Sequence, residues 1–133
     1  REAGAMLRRF ARVVCFAGLA CLACARPPSG VSIAGSELAA RIAAGKAPLI
    51  LDVRTPEEFA AGHVPGARLI PHSEVPSRLA EIESVRDQEI VVYCRSGRRA
   101  GLAEQTLRGA GFARVRDLAG HYEGWREAGL PVE

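Results

Sequence analysis

The sequence predicts an α/β fold in which a mostly parallel sheet is covered by helices on both faces. Two short apolar runs, centred on Ile50 and Val91, are typical of strands buried on both sides. Stretches with helix-like spacing alternate with these runs, and that alternation favours parallel strands joined by crossover helices. The 133 residues, 48% of them apolar, fit one domain, and no internal repeat or low-complexity tract is present.

The helices and strands are predicted from the residues at their boundaries. The clearest helix start follows Thr55, because this residue can cap the helix, Pro56 suits the first helical position and Glu58 can reach back to the cap. Ser36 is predicted to cap the first helix and Ser73 to open a later one. In chain order we expect helix 37–44, strand 49–53, helix 56–62, strand 67–70, helix 73–82, strand 89–93, helix 97–109, strand 113–118 and a last helix carrying Tyr122, Trp125 and Ala128 before Gly129.

The first 25 residues have the layout of a signal peptide. Arginines precede an uncharged run over residues 13–25, helix-breaking residues follow it, and Ala23-Cys24-Ala25 supplies a cleavage pattern. Such a run rises only about 20 Å as a helix, short of the hydrocarbon core of a bilayer. We therefore expect residues 1–25 to be a signal, 26–35 a linker and first strand, and 36–133 the domain. The protein is predicted to be exported to the periplasm, and a lipid anchor at Cys21 or Cys24 is the alternative.

The net charge of +3 comes entirely from the first 25 residues. From Arg26 onward the chain has 14 basic and 14 acidic side chains. A neutral body argues against a nucleic-acid surface built on bulk positive charge, so we expect no nucleic-acid partner.

Cys94 is the one cysteine outside the predicted signal, and its position is unusual. It ends an apolar strand and is followed by a short glycine-containing turn, a helix and the cations Arg95, Arg98 and Arg99. Backbone N–H groups in such a turn, the helix dipole and the cations all favour a thiolate. The loop 94–99 and the Asp52–Arg54 segment close two central strands, where ligands of parallel sheets bind. Cys94 is therefore the candidate nucleophile.

Other kinds of site fit these residues less well. A structural cysteine would leave three arginines beside a core residue. A cysteine phosphatase would carry an arginine six positions after the nucleophile, where this chain has Ala100. A serine hydrolase would need a G-x-S-x-G elbow, which is absent. No metal is expected, because no CxxC or HExxH pattern occurs and the spacing of His63, His72, His121 and Cys94 is not that of a ligand set.

Three motifs stand in order between residues 31 and 132. The first is LDVRTPEEF at 51–59 with GHVPGA at 62–67, the second is VYCRSGRRA at 92–100, and the third is LAG at 118–120 with GW at 124–125 and GLPV at 129–132. Together they resemble the rhodanese family of sulfurtransferases. The resemblance implies a single-domain rhodanese-like fold whose central sheet has five mostly parallel strands.

The resemblance also implies a reaction. The Cys94 thiolate would attack thiosulfate or a similar donor, sulfite would leave, and the resulting persulfide would pass its outer sulfur to cyanide or a thiol. Asp52 and Arg54 are supporting residues, with Asp52 bracing the loop and Arg54 pairing with Glu58. Loop amides would stabilise the persulfide and an arginine would meet the donor. The residues assigned to substrate binding are Arg95, Ser96, Gly97, Arg98 and Arg99.

The expected partners follow from this reaction. They are a small sulfur-containing anion as donor and cyanide or a thiol as acceptor, with a protein thiol as a further candidate. No cofactor is expected. Contact with a membrane is expected only if Cys21 or Cys24 carries a lipid. A module of the same fold that carries sulfur for, or docks onto, a partner protein is the alternative function.

Overall fold

A parallel sheet lies at the centre of the part of the chain that the computed structural model describes, residues 32–133. Its strands are β1 (Leu49–Asp52), β2 (Arg68–Leu69), β3 (Ile90–Tyr93) and β4 (Val115–Asp117), paired in the order β2-β1-β3-β4. Every pairing is parallel. Ile33 adds one parallel bridge to Leu118, beyond β4. The predicted parallel sheet is confirmed, with this single bridge at the place of a fifth strand.

Five α-helices cover the sheet in the described residues: α1 (Gly35–Ala43), α2 (Pro56–Ala61), α3 (Val75–Arg78), α4 (Arg98–Gly109) and α5 (His121–Glu127). Turns of 3-10 helix over His72–Glu74 and Leu79–Val85 flank α3. The predicted capping box of α2 is confirmed, because the Thr55 side chain accepts from Glu58 N and Glu58 Oε2 accepts from Thr55 N.

Two predicted helix starts were wrong. Ala34, not Ser36, precedes α1, because the bridge of Ile33 to the sheet ends there and the helix begins at once. The predicted helix from Ser73 is broken into 3-10 and α turns. Pro76 has no N–H to donate and fits only the first turn of a helix, so the α-helix starts at Val75.

Alternate strand residues point to opposite faces of the sheet and form two cores. One core, against α3 and α4, contains Leu51, Val92 and Cys94. The other, against α1 and α5, contains Ile50, Tyr93 and Trp125 among others. Cys94 therefore lies on the α4 side of the sheet, two residues after Val92 on the same face.

The N-terminal predictions concern residues outside the described range. The signal segment over 1–25, with Cys21 and Cys24, and most of the linker precede residue 32. Within residues 32–133, no helix combines the length and the apolar character needed to cross a membrane.

Candidate active site

The central strands β1 and β3 end side by side at one edge of the sheet. Asp52 and Tyr93 are partners in the register of these strands, and Val53 N donates to Tyr93 O at 3.0 Å. Cys94 is the next residue after β3, so it leaves the sheet beside the end of β1. The two segments that the sequence placed at this edge are thus brought together.

Loop 94–99 folds around the sulfur of Cys94. The N–H of Gly97 donates to Cys94 Sγ at 3.0 Å. Gly97 has φ of 125°, which turns its N–H into the loop and which side-chain-bearing residues rarely adopt. α4 begins at the next residue. The amides of Arg95, Ser96, Arg98 and Arg99 have no acceptor within residues 32–133, so the loop presents N–H groups for an anion.

Two of the three loop arginines bind carboxylates. Arg95 Nε donates to Glu123 Oε1 at 2.9 Å, on the exposed surface. Arg99 holds Glu58 with two hydrogen bonds of 2.6 and 3.0 Å. Arg98 is exposed and has no ion-pair partner in the described part of the chain. Among the loop cations, Arg98 is thus the one left to meet an anion from solvent.

Glu58 links helix α2 to the loop. It completes the capping box and also accepts both hydrogen bonds from Arg99. These hydrogen bonds from Arg99, together with those of the capping box, lower the pKa of Glu58 to about 2 against the opposing effect of burial. The predicted pairing of Arg54 with Glu58 was therefore wrong, since Glu58 forms its ion pair with Arg99.

Arg54 instead pairs with Asp52, two residues before it. Its Nε lies 2.9 Å from Asp52 Oδ1 and its Nη2 2.6 Å from Oδ2. Nη2 also donates to the carbonyl of Gly62 at 2.8 Å, and the guanidinium lies 3.9 Å from the centre of the Tyr122 ring. Burial alone would lower the pKa of Arg54, but the hydrogen bonds and charge of Asp52 raise it above its usual value.

Asp52 does not brace the loop directly, as the sequence had suggested. Besides Arg54 it accepts a 2.7 Å hydrogen bond from the hydroxyl of Tyr93, and no bond from residues 94–99. Burial, and then the charge of Asp52, raise the pKa of Tyr93. The Tyr93 hydroxyl in turn accepts from Val64 N at 3.0 Å. Asp52 and Arg54 thus fix the end of β1 and the chain at Gly62, beside the loop rather than inside it.

The first turn of α5 holds the start of the loop, and the sequence analysis missed this contact. Tyr122 N donates to Cys94 O at 3.0 Å and Glu123 N to Arg95 O at 3.2 Å. His121 Nδ1 accepts from Cys94 N at 3.4 Å. A signal was available, because residues that follow β4 lie at the same sheet edge as those that follow β1 and β3.

A cleft of about 390 Å³ opens beside these residues. It is lined by Arg54, Glu58, Ala61, Arg95, Tyr122, Glu123 and Arg126. Arg126 is exposed and has no ion-pair partner within residues 32–133. The lining therefore mixes both charges with one aromatic face, which suits a small polar molecule of mixed charge.

Cys94 itself is 1% exposed. The sulfur combines the burial of a structural cysteine with a polar contact, the Gly97 N–H. No group of three or more metal-ligating side chains is present in residues 32–133.

The described domain matches a known protein family. The family model of the rhodanese-like domain matches residues 35–128, which spans the sheet, the loop and α5. The chain belongs to the rhodanese-like family. The family and the fold expected from the three sequence motifs are thereby confirmed.

Two relatives of this rhodanese-like chain are named as sulfurtransferases. A protein of Allochromatium vinosum named sulfurtransferase is 38% identical over 100 residues, which cover 75% of this chain and 92% of the relative. A human protein named thiosulfate:glutathione sulfurtransferase is 39% identical over 103 residues, covering 68% and 89%. Both comparisons span most of the relative, so the similarity is one of whole domains.

Solved structures agree with the rhodanese-like assignment. A rhodanese-related protein from Thermoplasma volcanium has a TM-score of 0.68 at 33% identity, with 77% of this chain and 97% of that chain covered. A human single-domain sulfurtransferase has a TM-score of 0.62 at 37% identity, with 72% and 95% covered. The described domain thus matches complete rhodanese-like domains.

Proposed function

We propose that this chain is a sulfurtransferase that moves sulfane sulfur from thiosulfate or a similar anion to cyanide or a thiol through a persulfide on Cys94. The observation that carries the proposal is the 3.0 Å contact from Gly97 N–H to Cys94 Sγ in a loop that ends at a helix N-terminus. The names of the relatives support the same class of reaction.

The first half-reaction loads the sulfur. The Cys94 thiolate attacks the outer sulfur of thiosulfate, a new S–S bond forms, and the old S–S bond breaks with its electron pair leaving on sulfite. The cysteine then carries a terminal sulfur with one negative charge. The amides of Arg95, Ser96, Arg98 and Arg99, which have no acceptor among residues 32–133, would receive this sulfur anion.

The sulfur donor is proposed to bind the loop arginine that has no carboxylate partner in the described residues. Arg98 is exposed and unpaired in the described residues, whereas Arg95 and Arg99 are held by Glu123 and Glu58. A guanidinium can bind two oxygens of a sulfonate end at once. Arg98 is therefore the side chain proposed to meet the donor.

The second half-reaction unloads the sulfur. Cyanide or a thiolate attacks the outer sulfur, the Cys94 S–S bond breaks, and its electron pair returns to the Cys94 thiolate. Thiocyanate or a new persulfide is released. The name of the human relative, thiosulfate:glutathione sulfurtransferase, supports a thiol as the acceptor class.

Intact mass spectrometry of the full chain tests the proposal. Incubation with thiosulfate should add one sulfur atom, and cyanide should remove it. Cys94→Ser should gain none, whereas the matched variant Cys15→Ser/Cys21→Ser/Cys24→Ser, which keeps Cys94, should gain one. A wild-type chain that gains no sulfur, or a Cys94→Ser chain that still turns over, would contradict the proposal.

Steady-state turnover separates an enzyme from a carrier. A chain that loads sulfur on Cys94 and also turns over free thiosulfate and cyanide is the proposed enzyme. A chain that loads sulfur but releases it only to a partner protein would be the sulfur-carrier module of the same fold.

We also propose that the protein is exported to the periplasm. The support is the arginine-led uncharged segment over residues 13–25. Export is tested by expressing the full chain in a bacterium, fused to a reporter enzyme that is active only outside the cytoplasm. Mass spectrometry of the N-terminus then distinguishes cleavage after Ala25 from lipidation at Cys21 or Cys24. An uncleaved cytoplasmic chain would contradict the proposal.

A further inference from the structure

His121 has a backbone conformation that is costly for a residue with a side chain. It is the one non-glycine residue of positive φ in residues 32–133, at 52°. It is also buried, at 8% exposed, and every other residue of positive φ in residues 32–133 is a glycine. Such a conformation persists where the surrounding contacts hold it in place. The contacts of the His121 ring therefore indicate which interactions offset the cost of this backbone conformation.

The ring of His121 contacts loop 94–99 at two places. At the start of the loop, Nδ1 accepts from the N–H of Cys94 at 3.4 Å. Three residues further on, a Cβ placed on Gly97 would lie 3.0 Å from Nε2, so the ring lies directly against this glycine. Gly97 is the residue whose N–H donates to Cys94 Sγ. One side chain thus contacts the residue that bears the sulfur and the residue that binds it.

These contacts fix the protonation state of the ring. Because Cys94 N–H donates to Nδ1, this nitrogen carries no proton, and the neutral ring has its proton on Nε2. Nε2 lies 3.8 Å from Asp117 Oδ2. Burial lowers the pKa of His121, and the charge of Asp117 opposes this effect without cancelling it.

Charged groups on the neighbouring elements decide how the ring responds to acid. Among residues 32–133, Asp117 is the carboxylate in ion-pair range of a ring nitrogen. Its Oδ1 accepts from Ser32 Oγ, which holds it in place. Besides His121, the charged and titratable groups on the loop, α4, β4 and α5 are Cys94, Arg95, Arg98, Arg99, Glu104, Arg108, Arg116, Asp117, Tyr122, Glu123, Arg126 and Glu127.

We propose that neutral His121 is a positioning residue that holds loop 94–99 in the conformation that transfers sulfur, and that protonation of its ring at acid pH releases the loop and slows transfer. The inference rests on the proposed function of Cys94. A proton on Nδ1 would face the N–H of Cys94, so two donors would oppose each other where one hydrogen bond now exists. The ring would have to move, and with it the loop residue Gly97 that it covers.

Two substitutions of His121 separate its hydrogen bond from its titration. Asparagine tolerates positive φ and offers an amide oxygen near the place of Nδ1, but it does not titrate. Glycine relieves the backbone and offers no acceptor, so His121→Gly loses the contact without adding backbone strain. The experiment measures kcat and KM for thiosulfate with cyanide from pH 5 to 8 for the wild type, His121→Asn and His121→Gly. Thermal unfolding of each variant accompanies the kinetics.

The ratio of kcat for His121→Asn to kcat for the wild type removes the pH effects that both proteins share, such as the titration of cyanide. We expect this ratio to be constant between pH 7 and 8 and then to rise at acid pH. Below the pKa of His121, the rise approaches about tenfold for each pH unit. Asp117→Asn should move the rise to lower pH, because it removes the charge that favours the protonated ring. At pH 7.5, His121→Gly should have a lower kcat than His121→Asn.

A constant ratio across the whole pH range would overturn the proposal, and so would a His121→Gly variant as fast as the wild type at pH 7.5. The failure of the proposed function is a different result. It would appear as a wild-type chain that takes up no sulfur at pH 7.5 in the mass experiment, whatever the His121 variants do. NMR adds a readout besides activity: the amide resonance of Cys94 should titrate with the His121 ring and stop doing so in His121→Asn.

Discussion

Asp52 and Arg54 form a buried ion pair at the end of β1, with 0% and 3% of their side chains exposed. The Asp52 carboxylate accepts three side-chain hydrogen bonds of 2.6 to 3.0 Å from Arg54 and a further one from the hydroxyl of Tyr93. Because both side chains are almost entirely buried, each charge depends on the other. The pair joins the end of β1 to the carbonyl of Gly62, which keeps the neighbouring segment in place beside the sulfur loop.

Asp52→Ala should therefore destabilise the protein strongly. The change leaves the Arg54 charge buried without its carboxylate, which costs about 3–5 kcal/mol of unfolding free energy. The matched control is Glu83→Ala, which removes an exposed carboxylate paired with Arg86 and should cost about 0–1 kcal/mol. Urea unfolding of both variants checks the difference, and equal losses would contradict the role of the buried pair.

Two glycines near the start of α4 should respond to alanine in opposite directions. Gly97→Ala forces φ of 125° on alanine and places its Cβ 3.0 Å from the His121 ring, so a loss of about 1–3 kcal/mol and of most turnover is expected. Gly101 has nothing within 4 Å of such a Cβ. Gly101→Ala should stabilise α4 by about 0.5–1 kcal/mol. Thermal unfolding decides, and a tolerated Gly97→Ala would show that the loop does not need this backbone shape.

The Glu58–Arg99 pair should make part of the stability depend on pH. The pKa of Glu58 in the folded protein is about 2, below the 4.5 of the free side chain, mainly because Arg99 donates hydrogen bonds to it. A lowered folded pKa stabilises the protein above pH 4.5, and this contribution is lost as the pH falls toward 2. The difference in unfolding free energy between the wild type and Glu58→Gln should thus shrink over that range.

The control for this measurement is Glu57→Gln, an exposed carboxylate in the same helical turn that has no ion-pair partner within residues 32–133. Its difference from the wild type should stay small at pH 6, 4.5 and 3. If Glu58→Gln differs from the wild type equally at all three pH values, the pair with Arg99 does not hold the carboxylate ionised.

Arg126 should assist the binding of anionic substrates through the cleft beside the loop. It lines the cleft, is exposed and has no carboxylate partner in the described residues. Arg126→Ala should raise KM for thiosulfate or for a carboxylate-bearing thiol several-fold with kcat unchanged, because it removes a charge that binds ground and transition states alike. Lys46→Ala removes the same charge at the opposite edge of the sheet, before β1, and should leave KM unchanged. If Arg126→Ala and Lys46→Ala raise KM equally, the effect comes from the overall charge of the protein and not from the cleft.

Local signals in the sequence were sufficient for several parts of the site. The capping box of Thr55 and Glu58 was predictable because its partners are three residues apart on one turn. The position of Cys94 was predictable because a buried strand, a glycine turn and a helix follow each other without a gap. In both cases the deciding contacts lie within a few residues of each other in the chain.

The partner of Arg54 was predicted wrongly for a local reason. The sequence analysis paired Arg54 with Glu58, a spacing that suits a helix, although α2 begins only at Pro56. Arg54 follows an extended strand, in which residues two apart share a face. Asp52 is therefore its neighbour, and Glu58 is free to bind Arg99, which is 41 residues away.

The sequence by itself determined the parallel α/β architecture, the family and the location of the sulfur-bearing candidate, because hydrophobic period, turn residues and short motifs act over a few residues. Only the tertiary structure decided which charges remain free near Cys94 and that His121 binds its amide. Those contacts join segments that are 27 to 41 residues apart. They depend on which strand ends meet at the sheet edge, and on burial that only the packed chain supplies.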